Sequence, residues 1–244
     1  MDAEAGVPVE RISRYMRYAV GEILLVVTGI LIALYINNWN EQRQQLELEM
    51  QYLLALKEEF SSNLERLEGM KRRNLSNLAA AIEMAKHTGP DQPAISDEEF
   101  AGLFFGALDN EVQYRPGTGI INEVISSGSL SIISNPRLKK ALASLDGMML
   151  KVRFQESEEV APARRALFDL ADSSVSLRRM RADVRGDQVD RGRFLDSNLR
   201  LLQSRKFDNL LNRFIATSRY LGTDYYAQLE QQIREIIQII DEQL

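Results

Sequence analysis

The residues able to do chemistry in this chain are few and scattered. There is no cysteine and a single histidine, His87. That removes disulfides, thiolate metal sites and cysteine nucleophiles, and it leaves no second imidazole for a metal site or a triad. Glu98–Glu99 and Glu158–Glu159 are adjacent carboxylates. On a helix, neighbouring positions point about 100° apart, so neither pair converges on a substrate. Glu98 and Glu99 read instead as charge at a helix start. Gly117-Thr118-Gly119 precedes an apolar run and so offers backbone N–H groups to an anion. It lacks the spacing and the lysine of a nucleotide loop, and a turn opening a helix is the plainer reading. With no catalytic constellation, cofactor motif or metal-ligand set visible, a protein that is not an enzyme is expected, with no cofactor and no metal.

Two other groups carry charge in a suggestive place. Arg178, Arg179, Arg181, Arg185, Arg191 and Arg193 are interleaved with Asp183, Asp187 and Asp190. The positive excess makes Arg178, Arg179, Arg181 and Arg185 a candidate patch for phosphate headgroups, an anionic glycan or a partner protein. The competing reading is a solvated face with internal ion pairs. Glu22 is the second case. It borders the most apolar stretch of the chain, where a carboxylate is costly unless it reaches water or a partner.

That stretch is the element that must position the rest. Ile23–Ile36 contains no charge and rises about 21 Å as a helix, short of a bilayer core of about 30 Å. Its flanks make up the difference. Tyr15 and Tyr18 lie on one side, Tyr35 and Trp39 on the other, and these side chains favour the membrane interface. Tyr18 to Trp39 spans about 31 Å. Apolarity on all faces argues against a soluble core helix. The sequence YINNWNEQ that follows lacks the small-residue pattern of a cleaved signal peptide. Residues 19–39 are therefore expected to be an uncleaved transmembrane helix, after a short cytoplasmic tail at 1–18. Arg11, Arg14 and Arg17 precede it, whereas Arg43 alone follows before Lys57, which orients the N-terminus inward and residues 40–244 outward.

One face of this helix is set apart. Glu22, Gly29, Ala33 and Asn37 fall within a narrow sector. Gly29 and Ala33 form a small-x-x-x-small pair that lets two helix backbones approach, and Glu22 and Asn37 can hydrogen-bond across such a contact. The face predicts self-association.

Beyond the span the pattern is helical throughout. Leu46, Met50, Leu53, Lys57, Phe60, Leu64 and Leu67 keep alternating steps of four and three, the seam of a coiled coil or bundle helix, which should end near His87 before Gly89-Pro90. Ser96 to Glu99 is a capping box opening a short helix. Ile120–Ser127 is a second short helix, with Gly128 as its cap. Asn135-Pro136 starts a long helix that Pro162 should kink or split. Arg178–Arg193 reads as a loop or frayed helix end. Two helices, Asn198–Leu221 and Asp224–Gln243, close the chain with Gly222 between them. The expected fold is all-α: one N-terminal transmembrane helix continuing into an elongated extramembrane antiparallel helical bundle.

The run YAVGEILLVVTGILIAL from Tyr18 to Leu34, followed by INNWNE from Ile36 to Glu41, resembles the start of a family of bacterial single-pass membrane proteins catalogued as a domain of unknown function. Ile125–Pro136, reading ISSGSLSIISNP, is similar to a second segment of that family. The resemblance implies a bacterial single-pass membrane protein with a helical extramembrane region, which the arginine bias then places in the periplasm, anchored in the inner membrane, and it supplies no catalytic residue.

Composition agrees with a folded chain, at 45% hydrophobic and 27% charged residues. A net charge of −5 does not suggest nucleic acid as a partner. Membrane lipid, a second copy and an unidentified protein are the expected partners. The leading expectation is a membrane-anchored, homo-oligomeric helical scaffold or interaction protein. An oligomeric channel or pore-type effector is the first alternative, and a periplasmic ligand-sensing bundle acting through a partner is the second. A reporter active only in the periplasm, fused after Leu244, is expected to be active; a silent fusion reverses the topology.

Overall fold

The computed structural model describes residues 9–186 and 190–244, with backbone alone for residues 9–15, 17 and 18. Asp187 of the charged run therefore lies outside the described residues. All regular structure among the described residues is helical. The chain divides into two compact units, one ending at Tyr52 and the other Leu53–Leu244.

The first helix, α1, runs Val9–Ala85 without a proline. In the first unit it leaves its side chains almost entirely exposed. In the second unit it supplies the core through Leu53, Leu56, Phe60, Asn63, Leu67, Asn74, Asn77, Ala81 and Met84. This corrects the expected seam. Leu53, Phe60 and Leu67 belong to it, but Leu46 and Met50 are 65% and 42% exposed, and Leu56 takes the place expected for Lys57. Polar residues at three seam positions hide the true heptad from a search for apolar ones.

The second unit holds two long helical stretches, the second of which bonds to this segment. The first is α4 (Pro136–Phe154), a π segment (Gln155–Val160) and α5 (Ala161–Ser174). The second is α7 (Arg205–Tyr220), a π segment (Leu221–Tyr226) and α8 (Ala227–Asp241). They run antiparallel, α4 on α8 and α5 on α7. Gln155 Nε2 donates to Thr217 O at 3.1 Å and Gln232 Nε2 to Ser144 Oγ at 2.7 Å, which sets their register. The α1 segment is antiparallel to the second stretch, as the pairs Lys57–Asp241 at 2.7 Å and Arg234–Glu68 at 2.7 Å record.

Both expected breaks are absorbed rather than turned. Pro162 carries no N–H and would clash with the carbonyl four residues back. The widened turn before it takes the strain, with Ala161 N–H donating to Glu156 O five residues back. Gly222, expected between two separate helices, sits inside the second π segment, and the chain stays helical from Arg205 to Asp241.

Shorter helices close one flank. In α2 (Asp97–Leu108), Glu99 N–H donates to Ser96 Oγ at 3.1 Å and Ser96 N–H to Glu99 Oε2 at 2.8 Å, the reciprocal cap read from the sequence. Phe100, Phe104, Phe168 and Phe207 meet edge to face around it. After α3 (Gly119–Ser126), Gly128 adopts φ +76°, the left-handed cap expected there. Asn135 Oδ1 accepts from Arg137 N–H at 2.9 Å to start α4. The segment expected as a loop or frayed helix end holds α6 (Leu177–Arg185), capped by Ser176, packed on α2 and burying Met180 and Ala182. Dense arginine masked its two-residue apolar face.

Between α1 and the second stretch, Asn74 Nδ2 donates to Ser218 O at 2.9 Å. A Cβ on Gly222 would come within 2.9 Å of that same nitrogen. Gly222→Ala is expected to lower stability by about 1–3 kcal/mol through the lost bond and the displaced amide. In denaturant unfolding, Asn74→Ala combined with Gly222→Ala should cost clearly less than the two singles added together.

Candidate functional sites

The apolar stretch was the first candidate. α1 is long and apolar enough to cross a membrane, and none of its apolar window is buried. Glu22, Gly29, Ala33 and Asn37 all face outward, and nothing lies within 4 Å of a Cβ placed on Gly29. Tyr35 and Trp39 are exposed. The side chains of Tyr15 and Tyr18 lie outside the described residues. Two polar groups are turned onto their own helix: Thr28 Oγ1 donates to Leu24 O at 2.7 Å, and Asn37 Nδ2 to Glu41 Oε1 at 2.8 Å.

The Gly117–Gly119 loop does present N–H groups to an anion, and the anion is internal. Glu59 on α1 accepts from Ile120 N–H at 2.8 Å and from Ile121 N–H at 3.1 Å. A carboxylate at a helix start is where the dipole and the free N–H groups favour negative charge. Asn63, one turn along, donates to Gly117 O and accepts from Gly117 N–H, both at 2.7 Å. The loop is fastened to α1 and offers no open cradle.

The arginine patch is also largely spent inside the chain. Arg178 reaches Asp190, by its side chain and its carbonyl. Arg179 binds the carbonyls of Leu195 and Asp196 and pairs with Asp97. Arg181 pairs with Asp109 at 3.2 Å and lies over the Phe105 ring at 4.5 Å. Arg185 ends α6 at the surface. The reading of internal ion pairs holds for three of the four.

A polar cluster that sequence reading missed lies where the π segments meet. Glu156 is only 3% exposed. Its Oε1 accepts from Tyr226 OH at 2.5 Å and from Tyr114 N–H at 2.8 Å. Tyr114 OH donates to Asn63 O at 3.1 Å. Burial raises the Glu156 carboxyl above its usual range, opposed by the Tyr226 and Tyr114 bonds and by Arg153, and aided by Glu111. Burial first, then the neighbouring Glu156, pushes the Tyr226 hydroxyl up as well. A signal was available. Steps of three and four from Met149 through Val152 to Val160 put position 156 on the apolar face.

Among the described residues no three His, Cys, Asp or Glu side chains gather as a metal would require. The family model described as a family of unknown function, DUF6090, matches residues 22–155. No curated protein and no solved structure matches the chain.

The pH dependence of Glu156 follows from its direction. A carboxyl raised in the fold binds its proton more tightly there than in the unfolded chain. Its contribution to stability is therefore full below the ordinary value of 4.5 and is lost as pH rises through the raised value. Glu156→Gln keeps the oxygen that Tyr226 and Tyr114 bond and removes the charge. The variant should unfold at higher denaturant than the natural chain at about pH 8, with the gap closing by about pH 4. An equal gap at both pH values contradicts it.

Proposed function

This chain belongs to the family of unknown function DUF6090, and we propose that it acts as a membrane-anchored helical scaffold that self-associates and presents its bundle to another protein. The observation carrying this reading is α1 itself. One uninterrupted helix holds an exposed apolar stretch and then, beyond Leu53, a core face of the bundle. The span is residues 19–39, with the N-terminus in the cytoplasm and the bundle in the periplasm of a bacterial inner membrane. The inward orientation rests on Arg11, Arg14 and Arg17.

Self-association runs through Glu22, Gly29, Ala33 and Asn37, the face on which small residues permit close helix contact. Lipid covers the remainder of the span. No catalytic role is assigned; the Gly117–Gly119 loop and three of the four patch arginines are bonded within the fold. A pore is the weaker alternative. Thr28, one of the polar side chains a conduit would turn to water, bonds to its own helix.

The complex solubilised in mild detergent is expected to weigh a multiple of the 27.8 kDa chain. Gly29→Ile with Ala33→Ile should shift it toward a single chain. A natural protein that already measures one chain per particle ends the self-association reading.

A further inference from the structure

The helix pair that carries the π segments also carries an open groove of about 1080 Å³ on its outer side. Leu150 and Phe154 on one wall and Tyr220 on the other are 56%, 58% and 61% exposed. Ala216 leaves a gap beside Tyr220. Large apolar groups gathered around a groove mark a contact surface more often than isolated ones do.

Four charges frame these side chains. Gln155 and Thr217 are bonded across the floor, so they mark one level on both walls. Four residues beyond Gln155 stands Glu159, and four residues before Thr217 stands Arg213, at the same end of the groove. Lys151 and Asp224 stand at the other end. Each end thus has one cation and one anion on opposite walls. None of the four takes part in an ion pair among the described residues, whereas the second unit pairs many of its other surface charges.

We propose that this groove is a two-fold contact with a second copy of this chain. The proposal rests on the self-association above and adds the surface outside the span that carries it. A two-fold axis along the groove exchanges its walls and keeps its ends. Glu159 of one copy then faces Arg213 of the other, Lys151 faces Asp224, and Phe154 packs toward Tyr220. An isologous contact requires this self-complementary pattern. An axis across the groove would also match charges, pairing Glu159 with Lys151. The axis along the groove is the one that sets Phe154 of each copy against Tyr220 of the other. Anchoring raises the local concentration, so a modest contact suffices.

The chain has no native cysteine, so introduced thiols report without interference. Full-length Glu159→Cys and Arg213→Cys chains, co-expressed and oxidised in membranes, are expected to give a disulfide-linked dimer at least about fivefold above either chain alone. Ala33→Cys serves as the anchor reporter. Loss of the groove crosslink with the anchor crosslink retained overturns this surface and leaves the self-association reading standing. Loss of both overturns both. A Glu159→Cys to Lys151→Cys crosslink in its place, or an adduct of another mass, also overturns the proposal. Lys151→Asp should weaken association roughly fivefold, and adding Asp224→Lys to the same chain should restore it. A role confined to the fold of one copy would show no such rescue in the dimer fraction.

Discussion

The hydrogen bond from Tyr226 to Glu156 joins the two long helical stretches at their middle, and much of the bundle is arranged around making it possible. A carboxyl buried to this depth is costly unless donors converge on it. The first π segment buries both Gln155 and Glu156 by widening the turn, and the second leaves a step of five between buried Leu221 and Tyr226. Widening loosens backbone carbonyls, and buried amides answer them. Gln155 covers Thr217 O and Asn74 covers Ser218 O. Once these bonds exist, sliding one stretch past the other breaks all of them together. Buried polar groups that are satisfied in only one register specify that register, at some expense in stability.

The same groups explain what was readable from the sequence. Helical class, the capping box at Ser96, the Asn135-Pro136 start and the Gly128 cap are local, and local chemistry determines them. The register of α1 was not readable, because Asn63, Asn74 and Asn77 occupy seam positions and a search for apolar residues slid onto Leu46 and Met50. The π segments were missed for a related reason. Pro162 and Gly222 look like breaks to a local rule, and only tertiary partners decide that the helix continues through them. Glu156 sat in plain view beside Glu158 and Glu159, and its burial becomes visible only once the face is phased from Met149 and Val152.

The apolar stretch poses a separate problem of scale. From Val20 to Trp39 it exposes a near-continuous series of large apolar side chains, among them Leu24, Leu25, Ile30 and Leu31. Each such side chain left in water forgoes about 1.5–3 kcal/mol. Over the series that exceeds the roughly 5–15 kcal/mol by which folded domains are usually stable. Surface of that kind needs a cover that the described residues do not provide. Its length and the Trp39 and Tyr35 girdle suit lipid, which is why the anchor reading needs nothing from the bundle to support it.

What the bundle leaves open is informative because so much of it is closed. Glu59 fills the start of α3, Asn63 fastens the loop before it, and Asp190, Asp97 and Asp109 occupy three of the arginines that might have gripped an anion. A polar group already bonded inside a fold must break that bond before it can bind anything else, which offsets most of the gain. Chemistry at these places is therefore disfavoured by the fold itself. Charges that lack an ion-pair partner carry less of this cost. Lys151, Glu159, Arg213 and Asp224, set around exposed Phe154 and Tyr220, enter no ion pair among the described residues, and they are laid out in a pattern that a copy of itself can match.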